Sequence, residues 1–137
     1  MRIQRTFVDT NILLYAVSAK DVLKQQISTQ AVRSLGSNMV LSNQVLQEFY
    51  SVSTAKFGID PRVARDQVMA LAKGEVIHGT PELVEDAIDL SIVTGYSIWD
   101  SLIVQAAIQS RCTRILTEDL QHGQVIKGVR VENPFLT

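Results

Sequence analysis

Short strand-like runs alternate with helical patterns along nearly the whole chain. That alternation constrains the fold class before any single residue is considered. The first apolar run reaches from Ile3 to Val8. Met39-Val40-Leu41 forms a second, Glu75 to His78 a third and Arg114 to Thr117 a fourth. Val129 to Val131 reads as a last, edge strand ended by Pro134. Between these runs, Ile12 to Ala19 carries apolar residues at helical spacing. Asp21 is placed to cap a helix that runs to Leu35 and stops at Gly36. Ser42 or Asn43 opens a helix towards Phe57 and Gly58. Asp60-Pro61 and Thr80-Pro81 each set a capping side chain before a proline at the first helical position. The second of these helices reaches Thr94, with Gly95 behind it, and Ser97 starts another. Strands in alternation with helices predict an α/β fold of three layers, with a short, mainly parallel sheet between helices. The length fits one domain over residues 1–137, enough to bury roughly two thirds of the unfolded surface.

In such sheets ligands bind beyond the carboxyl ends of the strands. Asp9 closes the first run and opens Asp9-Thr10-Asn11. Asp119 follows Ile115-Leu116 in Ile115-Leu116-Thr117-Glu118-Asp119. Asp100 falls in the first turn of the helix after Ser97, and Glu48 about one turn inside the helix after Ser42. An acid beside buried apolar residues needs a partner, because an unpaired charge is costly to desolvate. No basic residue adjoins these four in sequence so as to serve them all. If the fold gathers them, a divalent cation is the simplest common partner. Carboxylate oxygens are hard ligands and select Mg²⁺ or Mn²⁺. On this reading Asp9 and Asp100 hold the ion directly, and Glu48 and Asp119 complete the site. Thr10, Asn11 and Thr117 orient the carboxylates.

Each acid also has an ordinary structural role open to it. Asp9 is suited to cap the next helix. Ser97-x-x-Asp100 is close to a capping box, and Glu48 would serve as a solvated boundary residue. Glu118 competes with Asp119; alternation along a strand puts Asp119 on the side of Thr117, which favours Asp119. Trp99 reads as core or wall rather than as a base-stacking platform. Arg62, Arg65 and Lys73 read as a solvated helix face, and Arg111, Arg114 and Lys127 as candidates for local positive charge. His78 and His122 are isolated, though His122 lies near the fourth acid.

Composition narrows the class further. Fourteen acids against thirteen Lys and Arg give a net charge of −1, which argues against a strongly cationic nucleic-acid binder. With the four acids neutralised by metal, ten remain against thirteen. Cys112 is the only cysteine, so no internal disulfide forms, and its thiol reads as a small core residue. No apolar run reaches the ~18 residues of a membrane helix, and Met1 to Arg5 lacks a signal-peptide core. These features lead to the expectation of a soluble cytoplasmic protein without a membrane partner.

The ordered set Phe7-Val8-Asp9-Thr10-Asn11-Ile12-Leu13, Glu48 after Leu41-Ser42, Ile98-Trp99-Asp100-Ser101 and Ile115-Leu116-Thr117-Glu118-Asp119 resembles the PIN domain family, and within it the bacterial VapC-type toxins. The resemblance spans the chain. It departs where many relatives follow the fourth acid with an Asp-Phe pair; this chain has Leu120-Gln121-His122-Gly123. The resemblance implies a parallel sheet between helices and a metal-dependent ribonuclease. RNA is then the substrate, and a small antitoxin and a second copy of the chain, as a homodimer, are the expected protein partners. Competing readings are a PIN-like binding protein without turnover, an RNA-processing nuclease, a structure-specific DNA nuclease and a receiver-like phosphoprotein.

Overall fold

The computed structural model describes residues 4–136. Among these residues, six strands form one sheet in the order β3-β2-β1-β4-β6-β5. They are β1 (Thr6–Val8), β2 (Met39–Ser42), β3 (Glu75–Ile77), β4 (Arg114–Leu116), β5 (Val125–Ile126) and β6 (Val129–Glu132). The pairs β1–β2, β1–β4, β2–β3 and β4–β6 are parallel. Among the described residues, six α-helices flank this sheet: α1 (Thr10–Val17), α2 (Val22–Leu35), α3 (Asn43–Ala55), α4 (Pro61–Leu71), α5 (Pro81–Thr94) and α6 (Ile98–Gln109). The expected mainly parallel α/β architecture is therefore present.

Local chemistry accounts for most of the boundaries. Asp21, Ser42, Asp60, Thr80 and Ser97 each cap the helix that follows by accepting a backbone N–H. Such caps satisfy donors that the first helical turn leaves unpaired. Pro61 and Pro81 occupy the first helical positions, where no donor is lost. The first strand is shorter than the sequence suggests, since it begins at Thr6; Ile3 lies outside the described residues.

One expectation is corrected at the sheet margin. Residues 129–131 belong to a strand that is not the edge, because β5 pairs antiparallel with β6 outside it. The two-residue connection Lys127-Gly128 explains this. Both residues have positive φ, 46° and 84°, the conformation of a tight hairpin turn. The strand pattern of Val125-Ile126 is too short to stand out in sequence.

The core joins Phe7, Val8, Val40, Leu41, Ile115 and Val131 from the strands to Ile12, Phe49, Ile103 and Val104 from the helices. Cys112 is buried within it, as expected of a small core residue, and burial pushes its thiol pKa up. Because both faces of the central strands are covered, these runs are continuously apolar rather than alternating. From β1 the sheet continues through β2 to β3 on one side and through β4 on the other. The chain order thus reverses between β1 and β4, and the crevice above their carboxyl ends is a switch point. Among the described residues, no single helix is long and apolar enough to cross a membrane.

Candidate active site

Asp9 directly follows β1 and Thr117 directly follows β4, so both stand at the switch point. Asp9 is buried, with 7% of its surface exposed. Its Oδ1 accepts the Thr10 backbone N–H at 2.7 Å, and its Oδ2 accepts the Thr117 hydroxyl at 2.8 Å. The N-cap role and a ligand role are therefore not alternatives; the first bond fixes the carboxylate in place. Burial pushes the Asp9 carboxyl up to about 6. The bonds from Thr117 and Thr10 oppose that rise, and the charges of Asp119 and Glu48 add to it.

The other acids approach from three different elements. Glu48 lies on α3, and its carboxylate accepts from the Thr10 hydroxyl at 3.4 Å. Partial burial of its carboxyl raises its pKa; Gln44 and Thr10 oppose this, and Asp100 and Asp119 add to it. Asp100 sits in the first turn of α6, where its N–H is donated to Ser97 Oγ at 3.1 Å. Burial, then the charge of Asp119, raises its pKa as well. Asp119 accepts from Asn11 Nδ2 at 2.9 Å. Its own N–H is donated to Thr117 Oγ1 at 3.1 Å. The fold thus brings together all four acids marked in the sequence, together with Thr10, Asn11 and Thr117.

Glu118 and Asp119 part company. The Glu118 carboxylate takes Lys24 Nζ at 2.9 Å and the Tyr15 hydroxyl at 2.5 Å. That ammonium also lies over the Tyr15 and Phe135 rings, 4.6 and 4.9 Å from their centres. Glu118 therefore turns towards α1 and α2, away from the other acids. The strand argument that separated the pair needs amending: β4 ends at Leu116, and the Asp119–Thr117 hydrogen bond sets the geometry instead. A paired variant experiment follows. Glu118→Gln removes a half-buried ion pair and should lower stability by about 1 kcal/mol. Asp119→Asn should leave stability nearly unchanged. The reverse pattern in thermal melts would exchange their roles.

Among the described residues, none of the ion pairs involves Asp9, Glu48, Asp100 or Asp119. The cluster lacks an internal cation. Asn11 Oδ1 is buried without a partner beside it, while its amide nitrogen faces Asp119. That orientation is set by charge, since an amide oxygen would repel the carboxylate. An all-oxygen donor set and an orphaned acceptor suit a hydrated hard cation. As placed, no three acidic, histidine or cysteine side chains among the described residues are close enough to chelate one ion. Glu48 and Asp119 stand on the exposed side of the cluster.

Several expectations about the surroundings change. Trp99 is 64% exposed and does not belong to the core. Arg114 is at the opposite end of β4, bonded to Glu132 and Thr6, so it adds no charge here. Arg62 and Arg65 are exposed as expected, yet they also line an apolar groove with Leu46, Tyr50 and Met69. His122 accepts the Asn133 N–H on Nδ1. Gln44 was missed: it bonds Glu48 and also donates to the Trp99 carbonyl at 3.3 Å. Its position four residues before Glu48, one turn along the same helix face, was the available signal.

Residues 6–127 match the sequence profile of the PIN domain family. The chain belongs to the PIN domain family. A search of curated proteins by sequence found no match. Three solved PIN-like structures show the same fold. Mycobacterium tuberculosis VapC20, a sarcin-ricin loop cleaving toxin, aligns at 20% identity and TM-score 0.70, covering 83% of this PIN domain chain and 91% of its own. A toxin–antitoxin complex from Klebsiella pneumoniae aligns at 21% and 0.74, covering 95% and 98%. VapBC2 from Rickettsia felis, bound to a DNA fragment from its promoter, aligns at 22% and 0.66, covering 93% and 97%. At these identities the likeness is one of fold.

Proposed function

We propose that this PIN domain is a Mg²⁺- or Mn²⁺-dependent endoribonuclease and the toxin of a toxin–antitoxin pair. The observation that carries the reading is the buried Asp9 carboxylate, without a cationic partner, at the switch point beside three further acids. The toxin and toxin–antitoxin structures that share the fold support the biological role.

Asp9 and Asp100 would hold the ion directly, since both belong to rigid positions beside helix starts. Glu48 and Asp119 would complete the donor set from the more exposed side. When bound, such a cation brings water towards hydroxide and neutralises charge on the phosphoryl oxygens. Thr10 and Thr117 hold the Asp9 oxygens in place, and Asn11 and Thr117 hold Asp119. Gln44 restrains Glu48. Such outer partners typically matter 10–100-fold in metal affinity or activity, an order-of-magnitude guide for these side chains too. The departure at Leu120-Gln121-His122-Gly123 does not remove Asp9, Glu48 or Asp100.

The test is cleavage of an RNA pool by the purified protein. Internal cuts should require Mg²⁺ or Mn²⁺ and stop in EDTA. Cleavage that persists in chelator, or intact RNA with metal demonstrably bound, contradicts the nuclease reading. The toxin role has its own assay: expression alone should arrest bacterial growth, and a partner encoded beside the gene should relieve it. An active nuclease whose overexpression is harmless would instead be an RNA-processing enzyme.

A further inference from the structure

Trp99 is the only tryptophan of the sequence, and 64% of its surface faces solvent. It occupies the second position of α6, directly before Asp100. Consecutive α-carbons are about 3.8 Å apart, so the indole is rooted beside one of the acids. Its backbone is tied to a second: the Trp99 carbonyl accepts Gln44 Nε2, and Gln44 also bonds Glu48. The ring itself is uncommitted. Among the described residues, the ring pairing and the cation–ring contacts involve Tyr15, Phe57 and Phe135, not Trp99.

An exposed indole whose backbone adjoins an acid cluster is poorly explained as packing, since its area is left in water. It is well explained as a ligand surface. The chain carries a net charge of −1, so phosphate neutralisation alone supplies a weak grip on a polyanion. Base stacking does not depend on charge, and every base offers a ring face. We propose that Trp99 is a stacking platform for an unpaired base of single-stranded RNA, next to the phosphate presented to the carboxylates. The inference rests on the nuclease reading and adds a base-binding subsite to it.

Because the tryptophan is unique, intrinsic indole fluorescence reports this residue alone. Wild-type protein in Mg²⁺ is mixed rapidly with a short single-stranded RNA of mixed sequence, before the strand is cut, and separately with an abasic strand of equal length. Binding is followed in parallel by anisotropy of labelled RNA. Expected are quenching by RNA that tracks the anisotropy, and none by the abasic strand. Trp99→Ala should bind about tenfold more weakly at every salt concentration, with the salt slope unchanged, and Trp99→Phe should retain most of the affinity. RNA that binds without changing the fluorescence, or unchanged affinity in Trp99→Ala, overturns the subsite and leaves the nuclease standing. No binding of RNA overturns both. Fluorescence that responds to protein concentration but not to RNA places Trp99 in a protein contact and overturns the subsite.

Discussion

Asp9→Asn and Asp100→Asn should each lower RNA cleavage by more than about 100-fold, beyond the 10–100-fold typical of residues that only orient a ligand. The fold should survive both changes. Asn at position 9 can still accept the Thr10 N–H, and Asn at position 100 still donates its backbone N–H to Ser97. What each loses is a full negative charge at a position with no cation of its own. Glu48→Gln and Asp119→Asn should have smaller effects, because both acids stand on the exposed side. Cleavage assays on matched, folded proteins, with circular dichroism as the folding control, check the order. Near-normal turnover in Asp9→Asn would reduce Asp9 to a helix cap.

A second large effect concerns stability and has the opposite sign. In the metal-free protein at pH 8, Asp9→Asn should raise stability by up to about 3 kcal/mol. Burial moves the Asp9 carboxyl from 3.8 to about 6 in the folded state. Each pKa unit corresponds to about 1.4 kcal/mol, and a raised carboxyl pKa means that the folded protein prefers the protonated form. The penalty for ionised Asp9 is thus fully present above pH 6 and absent below about 3.8. The advantage of the Asn variant should hold from pH 7 to 8, shrink as pH falls through 6 and vanish near 4. Melting temperatures should differ by roughly 10 °C at the high end. Mg²⁺ at ten times its dissociation constant should return roughly 1.4 kcal/mol to the wild type and less to the variant. Equal stability of the two proteins in EDTA across this pH range would mean that Asp9 carries no desolvation penalty.

The fold was legible because the local signals agreed. Asp60-Pro61 and Thr80-Pro81 name both the cap and the first helical residue. Val40-Leu41 and Ile115-Leu116 are apolar on both faces because helices cover both faces of the sheet. The β5–β6 hairpin was hidden by its size, since a two-residue strand has no period to read, and Lys127 in a left-handed conformation is an uncommon turn residue. The four acids could be marked because each stands where a strand ends or within the opening turns of a helix. Their partners were harder to see. The contact of Glu118 with Lys24 spans 94 residues in sequence, and that of Asn11 with Asp119 spans 108. Only the parallel register of β1 against β4, with Val8 opposite Leu116, makes the second of these near. Trp99 was misplaced for a related reason. Its apolar character suggested burial, but its place in the first turn of α6 turns it to solvent, while Ser101, two residues on, is buried.

The most direct test of the four-carboxylate site is calorimetric titration of Mn²⁺ into metal-stripped protein, without RNA, for wild type, Asp9→Asn and Asp100→Asn. Wild type should bind the ion saturably, and each variant should lose most of that heat while remaining folded. Wild-type protein that binds no Mn²⁺, or variants that bind it as tightly as wild type, would contradict a cation site built on Asp9 and Asp100.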